Sequence, residues 1–274
     1  MPEEYAYPYR QGLVSSGRFP SLTSGVSEVL ADRLPSRAWD VVVDLGCGDG
    51  GLSRRLADRL TVSAGWILLD RDRRLLDEAR RVLSARVERV VPVVAHLGAT
   101  PLARDLSPAR SLVLVSHVLY YLHPWQPVMR GLIERARGSR PPAVIVVVLH
   151  SHRSDSYVLR HGVRVSRGEA EPRMAHAEEF AAWLAERDVS WARHRVSVSY
   201  RPTTRPIGVG LRTLAEEDGA LRSLLRMLGH ADPLAVEPSV LAAFQRVVAR
   251  DGRGRPPVFE FHDEVFLLHG GRGA

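Results

Sequence analysis

Apolar runs of strand length alternate along the chain with stretches whose apolar residues recur every three or four positions. "VVVDL" (41–45) predicts a buried strand, and "GLSRRLADRL" (51–60) a helix. "GWILLD" (65–70) predicts the second strand and "RRLLDEARRVL" (73–83) an amphipathic helix. The third strand is expected within "VERVVPVVAH" (87–96), in the part after Pro92. "SLVLVSH" (111–117) and "AVIVVVLH" (143–150) predict the fourth and fifth, separated by the helix "PWQPVMRGLIERAR" (124–137). Near-continuous Val, Ile and Leu strands between amphipathic helices imply a parallel sheet covered on both faces. Right-handed crossovers make that sheet doubly wound, an α/β fold.

Beyond residue 150 the pattern changes. "HAEEFAAWLAERD" (176–188) predicts a helix, "WARHRVSVSYR" (191–201) an alternating strand, and "PVFEFHDEVFLLHG" (257–270) holds the last strand. Residues 202–256 read as mainly helical and exceed a simple connection, so they are expected to form a helical insertion. The domain reading is therefore a leader at 1–38, a core at 39–201 and 257–274, and the insertion at 202–256. The leader, "YAYPYRQGLVSSGRFPSLTSG", reads either as a loose tail or as a lid that closes over a site with Tyr5, Tyr7, Tyr9 and Phe19.

Composition narrows the classes. The chain has 274 residues, 45% hydrophobic and 25% charged, which fits a soluble globular protein with a substantial core. No apolar run nears the roughly 20 residues that cross a bilayer, and the opening "MPEEYAYPYRQG" does not read as a signal peptide. Cys47 is the sole cysteine, so no internal disulfide is expected and a cytoplasmic setting follows. The net charge of +7 invites a nucleic-acid reading. Against it, every basic residue is Arg, spread along the chain among acids and without a basic tail.

The candidate chemistry begins at the end of the first strand, in "VVVDLGCGDG". Gly46, Gly48 and Gly50 fall in a strand-to-helix turn, where glycine permits tight geometry and close approach of a ligand. The following helix is expected to point free N–H groups at that ligand. Asp70 ends the second strand about 20 residues on, the position that suits ribose hydroxyls. The spacing is GxGxG rather than the dinucleotide GxGxxG, Asp44 precedes it, and no GK[ST] follows, which excludes a P-loop. A tight turn without a ligand is the alternative.

At these residues the chain resembles the class I S-adenosylmethionine-dependent methyltransferases: "VVVDLGCGDG" is similar to their first motif and "ILLD" to their second. The resemblance implies a Rossmann-like, seven-stranded, mostly parallel sheet with a reversed last strand, and S-adenosyl-L-methionine as cofactor. It places Asp44, Gly46, Cys47, Gly48 and Gly50 at the methionine end and Asp70, with its neighbour Arg71, at the ribose. Leu75 would pack beside the adenine. The family's third motif carries an acid near the adenine amine; here "VVAHLGA" offers His96 and Leu97 instead.

The acceptor side is read from the end of the fourth strand, "LVLVSHVLYYL". It lacks the (Asp/Asn)-Pro-Pro-aromatic motif of amino-methylating DNA enzymes. "VLYYLHPWQPVM" resembles the corresponding part of the histamine N-methyltransferase-like small-molecule enzymes, as does the order of strand, Ser-rich loop and helical insertion that follows. That resemblance implies Ser116 at the cofactor, with His117, Tyr120 and Tyr121 facing a small-molecule acceptor. Tyrosine faces suit a sulfonium or ammonium, and a histidine near neutrality can take a proton. A buried helix face for the tyrosines and a capping role for His117 are the bland alternatives. His150 and His152 end the fifth strand, where open α/β sheets bind ligands; two histidines alone do not make a metal site. His262 and Asp263 start the last strand, where the related enzymes place an acceptor contact. The expected activity is methyl transfer to a small-molecule amine or hydroxyl. Two alternatives stand beside it: an enzyme that consumes the same cofactor by cyclisation or aminocarboxypropyl transfer, and an RNA-modifying or RNA-binding protein.

Overall fold

The computed structural model describes residues 18–97, 110–158, 161, 174–200 and 259–270. The chain groups into two compact units. One comprises Thr23–Leu149, Ala175–Arg195 and Glu264–Ala274; the other comprises Met1–Leu22, His150–Met174 and Val196–Asp263. In chain order the elements are α1 (Arg18–Arg33), β1 (Ala38–Leu45), α2 (Gly51–Ala57), β2 (Thr61–Asp70), α3 (Arg73–Ser84) and β3 (Val90–Val94). They continue with β4 (Ser111–Ser116), a 3-10 turn (Leu119–Tyr121), α4 (Gln126–Gly138), β5 (Val144–His150), α5 (Ala177–Ala185), β6 (Ser190–Tyr200) and β7 (Phe259–His269).

The strands form one seven-stranded sheet in the order β3-β2-β1-β4-β5-β7-β6, mostly parallel, with a reversed last strand. β1 pairs in parallel with β2 (Asp44 opposite Leu68) and with β4 (Asp44 opposite Leu114). β4 pairs with β5, Ser116 opposite Val148. The order reverses between β1 and β4, so the glycine turn after β1 and the Ser116–His117 step after β4 lie at the switch point, at the carboxyl ends of both strands.

Burial explains the pattern. Every residue of β5 is buried, as the run "VIVVVLH" requires of a central strand. α3 buries Leu76, Ala79 and Leu83, one helical stripe. Its start is fixed by Asp72, whose Oδ1 accepts the amides of Arg74 (2.9 Å) and Leu75 (3.4 Å). α4 and α5 meet through aromatic rings: Trp125 lies 5.5 Å from Phe180 and 5.2 Å from Trp183, and Phe180 lies 5.0 Å from Phe266 of β7, centroid to centroid.

Three elements differ from the sequence expectation. Pro92 lies inside β3, opposite Leu68, rather than before it. β3 is an outer strand, where a missing N–H is tolerated. The helix after β1 ends at Ala57, because β2 already begins at Thr61. Residues 18–33 form a helix within the expected leader, and from Val26 on it buries Val26, Leu30 and Ala31. Residues 202–256, read as a helical insertion, lie outside the described residues, as do Tyr5, Tyr7 and Tyr9; Phe19 is described only as backbone of α1.

Among the charged residues of the sheet, Glu264 is almost fully buried. Its Oε1 accepts from Arg195 Nε at 2.6 Å and its Oε2 from Arg193 Nε at 3.1 Å, and Arg193 also reaches Glu178 at 3.5 Å. Charge-assisted hydrogen bonds at a buried acceptor exceed surface pairs in strength. Glu264→Ala should therefore lower the unfolding free energy by roughly 1.5–3 kcal/mol in urea titration. A change within about 0.5 kcal/mol would show that the bridge contributes nothing.

Candidate cofactor cradle at the glycine turn

The turn after β1 is built from three left-handed glycines, with φ of 75° at Gly46, 55° at Gly48 and 76° at Gly50. They are glycine for different reasons. A Cβ at Gly46 would run into Val118 Cγ2, and one at Gly50 would sit 2.9 Å from Ala79 Cβ. A Cβ at Gly48 would meet nothing within 4 Å. Gly46 and Gly50 are thus fixed by the turn after β4 and by α3, while Gly48 borders open space that a ligand is able to enter. Leu97 Cδ1 comes within 3.6 Å of the Cβ position at Gly46, so the segments after β1, β3 and β4 converge there.

Hydrogen bonds use up most of the turn's donors. Gly46 and Cys47 donate their amides to Leu69 O (2.7 and 3.0 Å), and Gly50 donates to Cys47 O (3.0 Å). The Gly48 amide donates to Asp70 Oδ2 at 2.9 Å, and that of Gly51 to Asp49 Oδ1 at 3.1 Å. The helix after the turn, expected to aim free N–H groups at a ligand, has its first amide committed within the protein. α2 has seven residues, and its first amide is taken by Asp49.

The turn is also acid-lined. Asp44 is 2% exposed and accepts from Ser53 Oγ at 2.5 Å. Burial is the main cause that pushes its carboxyl up to about 7; the Ser53 bond opposes this and the Asp70 charge adds to it. Burial, then the charges of Asp44, Asp70 and Asp49, push the Cys47 thiol above its ordinary range, which disfavours the thiolate. Asp70 has a second duty besides any ribose contact. Its Oδ1 accepts the Asp72 amide at 2.9 Å, so one carboxylate ties the turn after β1 to the turn after β2.

The remaining expected cofactor residues fall around the same end of the sheet. Leu75 is half-buried in the first turn of α3, Arg71 is exposed beside Asp70, and Ser116 is half-buried at the end of β4. His96 is exposed and Leu97 half-buried after β3. On the acceptor side, His117 carries a positive φ of 55°, unusual for a histidine, and its Nδ1 lies 3.1 Å from Tyr120 Oη. Tyr120 is buried and Tyr121 is 44% exposed. In the other unit, His150 Nδ1 lies 2.6 Å from Asp263 Oδ1 and both side chains are buried. A carboxylate on Nδ1 orients an imidazole and sets its tautomer. Asp263, named in the sequence only as a neighbour of His262, gains this role because the fold joins two residues 113 positions apart. His262 donates its amide to Ser154 Oγ (3.1 Å) and its Nδ1 lies 2.9 Å from Ser197 Oγ; His152 is exposed.

No family model and no curated protein matches the chain. Solved structures do. The YcgJ protein of Bacillus subtilis superposes with a TM-score of 0.59 at 13% identity, covering 90% of this chain and 98% of its own. A protein of Bacillus halodurans C-125 described as a methyltransferase gives 0.54 at 13% identity, over 90% and 99%. The chain has the Rossmann-like methyltransferase fold. At such identities the likeness is one of fold, and the activity is argued from the site. Among the described residues, no helix is long and apolar enough to cross a membrane.

The crowding at Gly50 and the openness at Gly48 make opposite demands. Gly50→Ala should cost roughly 2–5 kcal/mol in thermal or urea unfolding, from the left-handed φ plus overlap with Ala79. Gly48→Ala should cost only the backbone share, roughly 1–2 kcal/mol. Equal losses would mean that α3 yields to the Cβ.

Proposed function

We propose that the glycine turn binds S-adenosyl-L-methionine and that the chain transfers its methyl group to an amine or hydroxyl of a small molecule. The observation that carries the reading is the pairing of consumed amides with clustered carboxylates. A dinucleotide's pyrophosphate needs free N–H groups and rejects negative charge. Here the amides of Gly46, Cys47, Gly48, Gly50 and Gly51 are already bonded, and Asp44, Asp49 and Asp70 surround the turn. That environment suits a nucleoside bearing positive charge, and Gly48 leaves it room.

When bound, S-adenosylmethionine supplies a methyl group on a positively charged sulfur. The residues' tasks follow. Asp70 retains acceptor capacity for ribose hydroxyls beyond its two amide bonds, since a carboxylate offers about four lone-pair sites. Leu75 and Leu97 offer apolar surface for the adenine. Methyl transfer is an in-line displacement that depends on alignment and exclusion of water. His117, Tyr120 and Tyr121 are our candidates for aligning the acceptor: the Tyr120 hydroxyl steadies the His117 ring, and Tyr121 presents its face. His117 and His150 are the candidate proton acceptors. His152, His262 and the N-terminal Tyr5, Tyr7, Tyr9 and Phe19 remain proposed substrate contacts. The likeness to histamine N-methyltransferase-like enzymes rests on "VLYYLHPWQPVM" and supports a small basic acceptor.

Two measurements test this. Asp70→Ala should weaken S-adenosylmethionine binding by roughly 1.5–3 kcal/mol per charge-assisted bond lost, and by more if the Gly48 turn opens. Unchanged affinity in calorimetry would remove Asp70 from the site. Incubation of the protein with the cofactor alone should release no methylthioadenosine, and S-adenosylhomocysteine should form only with an acceptor present. Release of methylthioadenosine would replace methyl transfer by cyclisation or aminocarboxypropyl transfer.

A further inference from the structure

We propose that His150, with Asp263 as its positioning residue, is the base that takes the acceptor's proton, and that the acceptor group is a hydroxyl rather than an amine. The inference rests on the methyl-transfer reading above and narrows it. His150 is the last residue of β5, the strand end at which open α/β sheets bind ligands. Val148, just before it, pairs with Ser116 and accepts the His117 amide at 3.0 Å. His150 Nδ1 lies 2.6 Å from Asp263 Oδ1, with 7% of the imidazole exposed and 0% of the carboxylate. The ring is therefore the outer member of the pair. A carboxylate only accepts, so Nδ1 carries the proton and donates it, and Nε2 is the basic nitrogen. The same carboxylate stabilises the imidazolium that forms when Nε2 takes a proton.

The segment after β5 holds the pair in place. Ser151 donates its amide to His262 O (3.0 Å), His262 its amide to Ser154 Oγ (3.1 Å), and Glu260 its amide to Asp155 Oδ2 (2.8 Å). These bonds flank His150 on one segment and Asp263 on the other. The His117 ring is held differently. Its Nδ1 lies 3.1 Å from Tyr120 Oη, a neutral hydroxyl that donates as readily as it accepts, so this bond selects no tautomer and balances no charge. His117 suits alignment, and His150 suits proton transfer.

The acceptor class follows from the base. A neutral amine attacks with its own lone pair and sheds its proton after the methyl has moved, so a positioned base gains it little. A neutral hydroxyl is a weak nucleophile until its proton is leaving. In the step, the acceptor O–H bond breaks and the proton goes to His150 Nε2. The oxygen's electron pair forms the bond to the methyl carbon, and the carbon–sulfur pair leaves with sulfur as S-adenosylhomocysteine. His150 then passes its proton to solvent. A small basic acceptor that also carries a hydroxyl satisfies this chemistry.

The full chain offers a test that needs no acceptor. Long-range proton–nitrogen NMR of protein labelled at its histidine nitrogens, at about pH 8, should show the His150 proton on Nδ1, with His150→Gln identifying the signal. Asp263→Asn, whose amide donates as well as accepts, should shift that proton toward Nε2. A wild-type ring protonated on Nε2 or on both nitrogens, or a tautomer unmoved by Asp263→Asn, overturns the proposal and leaves the methyl-transfer reading standing. Incubation with S-adenosylmethionine and either tyramine or dopamine, each bearing a hydroxyl and an amine, reads the acceptor atom. An O-methyl product is expected. An N-methyl product alone overturns the proposal and leaves methyl transfer standing; no methylated product from either probe overturns both. His150→Gln should lower kcat for the O-methyl product about a hundredfold, and Asp263→Asn roughly tenfold or more, with calorimetric affinity for S-adenosylmethionine unchanged. Wild-type kcat in His150→Gln, or a loss of cofactor affinity equal to the loss of kcat, overturns the assignment.

Discussion

The Asp70 carboxylate joins the turn after β1 to the turn after β2 through two amides. One oxygen holds the Gly48 amide and the other the Asp72 amide, each at 2.9 Å. The first bond fixes the middle of the glycine turn; the second fixes the residue that caps α3. α3 in turn presses Ala79 against Gly50. Turn, strand end and helix are thus mutually constrained, and the space beside Gly48 is a consequence of that closure.

The same constraint sets the charge of the site. A turn whose amides serve internal bonds has little left to offer an anion, and the carboxylate that organises it adds negative charge. Asp44 and Asp49 strengthen that bias. The fold is shared by proteins of many activities. The proposed preference for a positively charged nucleoside rests on the local accounting of donors and charges at β1, β2 and α2.

Much of the architecture was legible in the sequence. β1, β4 and β5 carry near-continuous apolar runs because they lie inside the sheet, the glycine turn follows β1, and Asp70 ends β2 beside it. α1 was not legible: its first half, "RFPSLTSG", breaks the apolar period, and the buried stripe begins only at Val26. Pro92 misled because proline forbids a central strand but not an outer one. Within the site, residue types were readable and their commitments were not. The amides of Gly48 and Gly51 meet acids 22 and 2 positions away, a pairing that only the folded turn decides. The left-handed backbone of His117 and the His150–Asp263 pair are likewise products of tertiary structure.

The central claim is that this turn selects a cation-bearing nucleoside over a pyrophosphate-bearing one. Equilibrium dialysis of the full chain against S-adenosylmethionine and against ADP-ribose tests it most directly, since the two share adenosine and differ in the charge presented to the turn. The account predicts that S-adenosylmethionine binds at least about tenfold more tightly, a difference of roughly 1.4 kcal/mol. Equal or tighter binding of ADP-ribose would contradict it.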